Sequence, residues 1–167
     1  LMEVATESLI RYLRAQEEVG GKLHTFMVAD DSLAFLSPKH FVDYSLPYLQ
    51  RIFKEFSTPD TIGILHCDTS ATHLLDVIAD VGMDVYNFGP EMDITEVKQK
   101  VGDRVCLLGN IDPLAALHKG DPEEVDAECR RIIEAAKPGG GFIFTMGSGT
   151  ARETPPENID AIRAAME

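Results

Sequence analysis

Long apolar runs, an excess of basic charge and paired cysteines are all missing from this sequence of 167 residues. No apolar run approaches the roughly 20 residues of a membrane-spanning helix, and the longest, such as Val105–Leu108, have the length of a strand. Lys and Arg number 15 against 28 Asp and Glu, which gives a net charge of −13. A net negative charge of this size repels nucleic-acid phosphates and anionic lipids, so we expect neither nucleic-acid nor membrane partners.

The cysteines are Cys67, Cys106 and Cys129, an odd number without a CxxC pair. A disulfide framework is therefore not predicted, and a cytoplasmic location is expected. The first residues show no basic segment followed by an apolar one, so we expect no signal peptide. Leu1–Val4 does not resemble a natural start, which suggests a piece of a longer protein.

Short apolar segments alternate with helical patterns along one domain, residues 1–167. The predicted strands are Leu23–Ala29, Thr61–Leu65, Val85–Phe88, Val105–Leu108 and Phe142–Thr145. The predicted helices cover residues 4–18, 37–56, 69–79, 94–100 and 122–136, with a last one from Pro155. This alternation predicts an α/β fold with a parallel sheet. Because the strands are apolar almost throughout, we expect the sheet to be buried on both faces.

The pattern alone leaves an open doubly wound sheet and a barrel as alternatives. No GxGxxG follows the first strand and no GxxxxGK[ST] occurs, so dinucleotide and P-loop sites are not predicted. A complete (β/α)8 barrel typically takes about 250 residues, so five units would form only part of one.

Polar residues gather just after the predicted strands, at the edge where parallel α/β folds place their sites. They are Asp30, Asp31, His66, Asp68, Asn87, Glu91, Asn110, Asp112, Thr145 and Ser148. Asp or Asn in such a position can instead cap the next helix, and that alternative stays open for each one singly. The segment Gly147–Gly149 also follows a strand, and its glycines would allow close approach of a ligand.

His66, Cys67 and Asp68 form the most informative triplet. Strand alternation places His66 and Asp68 on one face and Cys67 on the other, where Cys67 is expected to pack. His66 and Asp68 could share a metal, or Asp68 could orient an imidazole that acts as an acid or base. Two ligands are too few for zinc, which takes at least three from protein.

Several segments resemble the uroporphyrinogen decarboxylase superfamily, in the right order along most of the chain. They are Leu36–Phe41 (LSPKHF), Leu46–Leu49 (LPYL), Lys100–Arg104 (KVGDR), Leu108–Pro113 (LGNIDP), Gly120–Val125 (GDPEEV) and Thr154–Ile159 (TPPENI). The resemblance implies that the chain is the C-terminal portion, about five βα units, of a TIM (β/α)8 barrel. Within the superfamily, the chain most resembles the branch of the corrinoid (methylcobamide):coenzyme M methyltransferases.

Two positions depart from the motifs of that superfamily. Its methyltransferases carry a His-x-Cys zinc pair where this chain has His66 and Asp68, and a cysteine as the third ligand where it has Ser148. Its decarboxylases carry a histidine at the position of Ser148. As metal ligands, a carboxylate and a hydroxyl are harder donors than two thiolates, so they make a weaker zinc site. We retain His66, Asp68 and Glu91 as a candidate zinc set.

Three functions follow from the resemblance as expectations. The first is methyl transfer between a corrinoid protein and an acceptor, with Asp31, His66, Asp68 and Ser148 as catalytic candidates. The candidate substrate-binding residues are Asp30, Asn87, Asn110, Asp112, Gly147 and Gly149. The second is decarboxylation of a porphyrinogen or related substrate, with Asp31 handling a proton and Arg152 as the main candidate cation. The third is a non-catalytic binding subunit, and a homodimer is one expected assembly.

Overall fold

Five parallel strands form a single sheet in which each strand pairs with the next one along the chain. The computed structural model describes residues 1–167 and places the strands at β1 Thr25–Ala29, β2 Ile62–Cys67, β3 Val85–Phe88, β4 Cys106–Ile111 and β5 Phe142–Met146. A doubly wound sheet would reverse its strand order at one point, whereas a barrel adds strands in sequence. The order β1-β2-β3-β4-β5 therefore confirms the predicted part of a TIM barrel.

Helices lie before the first strand and after every strand. They are α1 Met2–Gly20, α2 Pro38–Tyr44, α3 Leu46–Phe56, α4 Leu75–Ile78, α5 Ile94–Val101, α6 Pro122–Ala136 and α7 Pro156–Met166. Side-chain caps begin three of them: Ser37 accepts the N–H of His40, Asp93 accepts that of Glu96, and Asp121 with Glu124 forms a capping box. None of these helices is long and apolar enough to cross a membrane.

Two predicted helices differ from the observed ones. The helix predicted over 37–56 is interrupted at Ser45, because Pro47 has no N–H to continue the ladder of the preceding turn. The helix predicted over 69–79 is one α-helical turn between two 3₁₀ turns, Thr72–Leu74 and Ala79–Val81. Its first residue, Thr69, instead bonds through its hydroxyl to the carbonyl of Asp31.

One face of the sheet packs against the helices, whereas the other is buried at β3 and exposed at the outer strands, so the prediction of two buried faces holds only in part. Phe26, Leu65, Tyr86 and Leu107 point to the face covered by helices and are at most 4% exposed. On the other face Met27, Ile62 and Ile143 are 49%, 48% and 52% exposed. In a closed barrel this second face is the interior, and five strands do not close around it.

Candidate functional site

His66, Asn87 and Leu108 are linked across three neighbouring strands. Parallel pairing places His66 of β2 beside Asn87 of β3, and Asn87 beside Leu108 of β4. The Nδ1 atom of His66 lies 2.5 Å from Oδ1 of Asn87, and Nδ2 of Asn87 donates to the carbonyl of Leu108 at 2.7 Å. Asn87, predicted to bind substrate, therefore orients the imidazole.

Asp68 lies between His66 and Ser148, directly beyond the end of β2. Its Oδ1 is 3.2 Å from Nε2 of His66, and its Oδ2 accepts a hydrogen bond of 2.8 Å from the hydroxyl of Ser148. This Oδ1 atom is buried and receives no hydrogen bond. We call His66, Asp68, Asn87 and Ser148 the strand-end cluster.

The two acidic residues after β1 have different surroundings. Asp31 accepts the backbone N–H of Asp68 at 2.7 Å, so it holds the strand-end cluster from the neighbouring loop. Asp30 accepts the backbone N–H of Ser32 at 3.0 Å and its hydroxyl at 2.5 Å. The carboxylate of Asp30 therefore caps the 3₁₀ turn Asp31–Phe35, as the capping alternative predicts.

Asn110 and Asp112, at the end of β4, both hold backbone. Nδ2 of Asn110 donates to the carbonyl of Met92 at 2.8 Å, and its buried Oδ1 has no partner. Asp112 accepts the backbone N–H groups of Leu114 and Ala115 at 2.7 and 2.8 Å. Both residues support loops at the strand-end edge of the sheet, and Oδ1 of Asn110 is left buried without a donor.

Close backbone packing beneath the strand-end cluster requires glycine at two positions. A Cβ on Gly147 would lie 2.6 Å from Cδ of Pro90. A Cβ on Gly89 would lie 1.9 Å from the carbonyl oxygen of Asp68. Gly149, in contrast, has no neighbour within 4 Å. Sequence reasoning did not single out Gly89, although a Gly-Pro pair directly after a strand is a turn signal.

The predicted zinc ligands do not form a metal site in this chain. His66 and Asp68 lie together, but Glu91 is exposed and joins neither of them in a hydrogen bond. No group of three or more His, Cys, Asp or Glu side chains is arranged to hold a metal ion. Because zinc takes at least three protein ligands, these residues do not fit it, and we derive no step through a metal.

The cysteines are packing residues, as predicted. Cys67 and Cys129 are fully buried, and Cys106 is partly buried within β4. Burial raises the pKa of the Cys67 and Cys106 thiols, and it raises the pKa of Cys129 to about 11. Raised values favour the thiol over the nucleophilic thiolate, so none of the three is prepared for covalent catalysis.

Comparison with known proteins gives one family and two kinds of relative. The family described as Uroporphyrinogen decarboxylase (URO-D) matches residues 1–167. Uroporphyrinogen decarboxylase from Dechloromonas aromatica is 31% identical over 99% of this chain and 47% of that protein. The one from Aromatoleum aromaticum is 32% identical over 97% of the chain and 45% of the protein.

A solved structure described as a methyltransferase from Methanosarcina mazei is also similar. It is 26% identical, with a TM-score of 0.81, over 98% of this chain and 47% of that one. The chain thus spans about half the length of the curated relatives it matches.

Proposed function

Because this chain belongs to the uroporphyrinogen decarboxylase (URO-D) family, we propose that it acts in methyl transfer between a corrinoid protein and a small acceptor. The similar structure of a methyltransferase supports this choice within the family. In the proposal the strand-end cluster handles the proton of the small molecule, and Asp31 and Asn110 line the pocket.

The observation that carries the proposal is the sign of charge at the strand ends. Two acidic residues, Asp31 and Asp68, lie here, and no Lys or Arg is a hydrogen-bond or ion-pair partner of the strand-end cluster. Arg152 is exposed and forms no ion pair. A porphyrinogen bearing several carboxylates would be repelled by such a surface. A small neutral or cationic methyl compound would not be.

His66 and Asp68 supply the acid–base step of the proposed reaction. In the demethylation direction the bond from the methyl carbon to its heteroatom breaks, and the electron pair stays on the heteroatom. The corrinoid of the partner protein would accept the methyl group, and the His66–Asp68 pair would give a proton to the heteroatom. In the reverse direction the pair takes the proton back.

The reverse direction gives a direct test with the full-length protein. Methylcobalamin serves as the methyl donor and a panel of small thiols and amines as acceptors, and the loss of its absorbance gives the rate. General acid–base groups contribute about 100-fold or more, so His66→Gln should slow the reaction by that factor. Asp160→Ala, on the exposed face of α7, is the control and should leave the rate unchanged. A wild-type rate equal to that without protein would contradict the proposal.

Decarboxylation is the second candidate, because curated relatives of this name are 31% and 32% identical over nearly the whole chain. In that case Asp31 would handle the proton that replaces the lost carboxylate. Release of carbon dioxide from a porphyrinogen by the full-length protein, lost in Asp31→Asn, would support this candidate. Binding of a corrinoid protein without either reaction would instead indicate a non-catalytic subunit.

A further inference from the structure

The side chain of Asn87 is fixed in one orientation by a backbone carbonyl. A carbonyl oxygen only accepts, so the NH₂ group of Asn87 must face Leu108, at 2.7 Å. Rotating the amide group by 180° would bring Oδ1 of Asn87 against the carbonyl oxygen of Leu108. The Oδ1 atom of Asn87 must therefore face Nδ1 of His66, at 2.5 Å.

This orientation determines which imidazole nitrogen carries hydrogen. Because Oδ1 of Asn87 only accepts, Nδ1 of His66 must be the donor. A neutral imidazole has a single N–H, so Nε2 would then be an acceptor. Nε2 faces Oδ1 of Asp68 at 3.2 Å, and a carboxylate oxygen is an acceptor as well. The two atoms form no hydrogen bond with each other, so Nε2 keeps its lone pair free.

We infer that Asn87 is a positioning residue that keeps the hydrogen of the neutral His66 imidazole on Nδ1 and leaves Nε2 as the nitrogen that accepts a proton. The second oxygen of Asp68 already accepts the hydroxyl of Ser148, which leaves Oδ1 as the oxygen beside Nε2. The buried Oδ1 atom has no hydrogen-bond partner. The chemical role of His66 rests on the proposed function, but its tautomer does not.

Nuclear magnetic resonance tests the inference without an activity assay. Two-bond ¹H–¹⁵N correlation of the full-length protein, labelled with ¹⁵N-histidine, reports which ring nitrogens carry hydrogen. The signals of His66 are assigned by their loss in His66→Gln. We expect Nδ1 of His66 to be protonated, as its contact with Oδ1 of Asn87 requires.

Two substitutions of Asn87 separate positioning from packing. Asn87→Leu has a similar volume and no acceptor, so His66 should change to the Nε2–H form and donate to Asp68. Asn87→Asp keeps an oxygen beside Nδ1 and should keep that nitrogen protonated. The two spectra should therefore differ at His66 and agree at the other histidines of the chain.

A wild-type His66 with unprotonated Nδ1 would overturn the inference, whether or not either variant folds. A folded Asn87→Leu protein with Nδ1 still protonated would overturn it as well, because Asn87 would then serve packing alone. Protonated Nδ1 in a protein that transfers no methyl group would contradict the proposed function and leave the inference standing.

Discussion

Ser148 and Asp68 are 80 residues apart in the sequence, yet the hydroxyl of Ser148 donates to Oδ2 of Asp68 at 2.8 Å. The bond joins the loop after β5 to the loop after β2, across two intervening strands. A carboxylate at this position has one oxygen bound by a hydroxyl and the other turned towards an imidazole. The strand-end cluster is therefore a connected unit and not four separate polar residues.

Ser148→Ala should slow methyl transfer by about tenfold while leaving the fold intact. The substitution removes one hydrogen bond to a carboxylate, and about 1.4 kcal/mol of transition-state stabilisation corresponds to that factor. Ser148 is exposed, so the free energy of unfolding should change by less than about 1 kcal/mol. Steady-state rates and urea unfolding of the full-length protein measure the two effects.

Ser148→Thr keeps the hydroxyl and is the matched control, with a rate expected close to wild type. Equal slowing in both variants would mean that the loop shape, and not the bond to Asp68, determines the rate.

Gly89→Ala should destabilise the protein by more than about 3 kcal/mol. Its Cβ would lie 1.9 Å from the carbonyl oxygen of Asp68, so the backbone of one of the two loops must move. Gly149→Ala is the control, because no atom lies within 4 Å of its Cβ, and the expected change is below about 0.5 kcal/mol. Urea unfolding compares them. Equal urea concentrations at the midpoint of unfolding in the two variants would contradict the close packing of Gly89 beneath Asp68.

Sequence patterns were sufficient to predict where the strand-end cluster lies. Strand alternation predicted that His66 and Asp68 share a face and that Cys67 packs on the other, and the structure confirms both. Those inferences needed only the period of a strand, which is a local property. The break between α2 and α3 was missed, although Pro47 cannot continue the helix of the preceding turn.

Contacts between strands could not be predicted in the same way. The bond between His66 and Asn87 depends on the register of β2 against β3, and no local pattern specifies a parallel register. The exposure of the second face depends on whether the strands close into a barrel. The local pattern of each strand does not show this, and five strands do not close one. Glu91 was grouped with His66 and Asp68 as a candidate metal ligand from its place after β3, and the structure leaves this residue exposed.

The buried thiol of Cys129 should make stability fall above about pH 9. Burial raises its pKa from an ordinary value of 9.0 to about 11, with Asp126 and Glu128 adding to the rise. Between these values the unfolded chain loses a proton that the folded chain keeps. The stability that the protonated Cys129 thiol contributes is therefore fully present below pH 9 and is lost as pH rises through about 11. The loss amounts to about 2 to 3 kcal/mol.

Urea unfolding at about pH 8 and about pH 11 measures this dependence. Other groups also titrate over that range, so the comparison is with Cys129→Ala, which should lose less stability between the two pH values. Identical losses in the wild type and the variant would mean that the thiol of Cys129 titrates normally in the folded protein.

Asn158→Leu should destabilise the protein by about 2 to 4 kcal/mol without altering the strand-end cluster. Asn158 is 1% exposed, and its Nδ2 donates to the carbonyls of Leu117 and Gly120, both at 2.8 Å. These bonds hold α7 against the turn that precedes α6, and leucine would leave both carbonyls without this donor. Asp160→Asn, on the exposed side of the same helix, should change the free energy of unfolding by less than about 0.5 kcal/mol. A variant at Asn158 with wild-type stability but slowed methyl transfer would contradict this structural role, because the side chain makes no contact with His66, Asp68, Asn87 or Ser148.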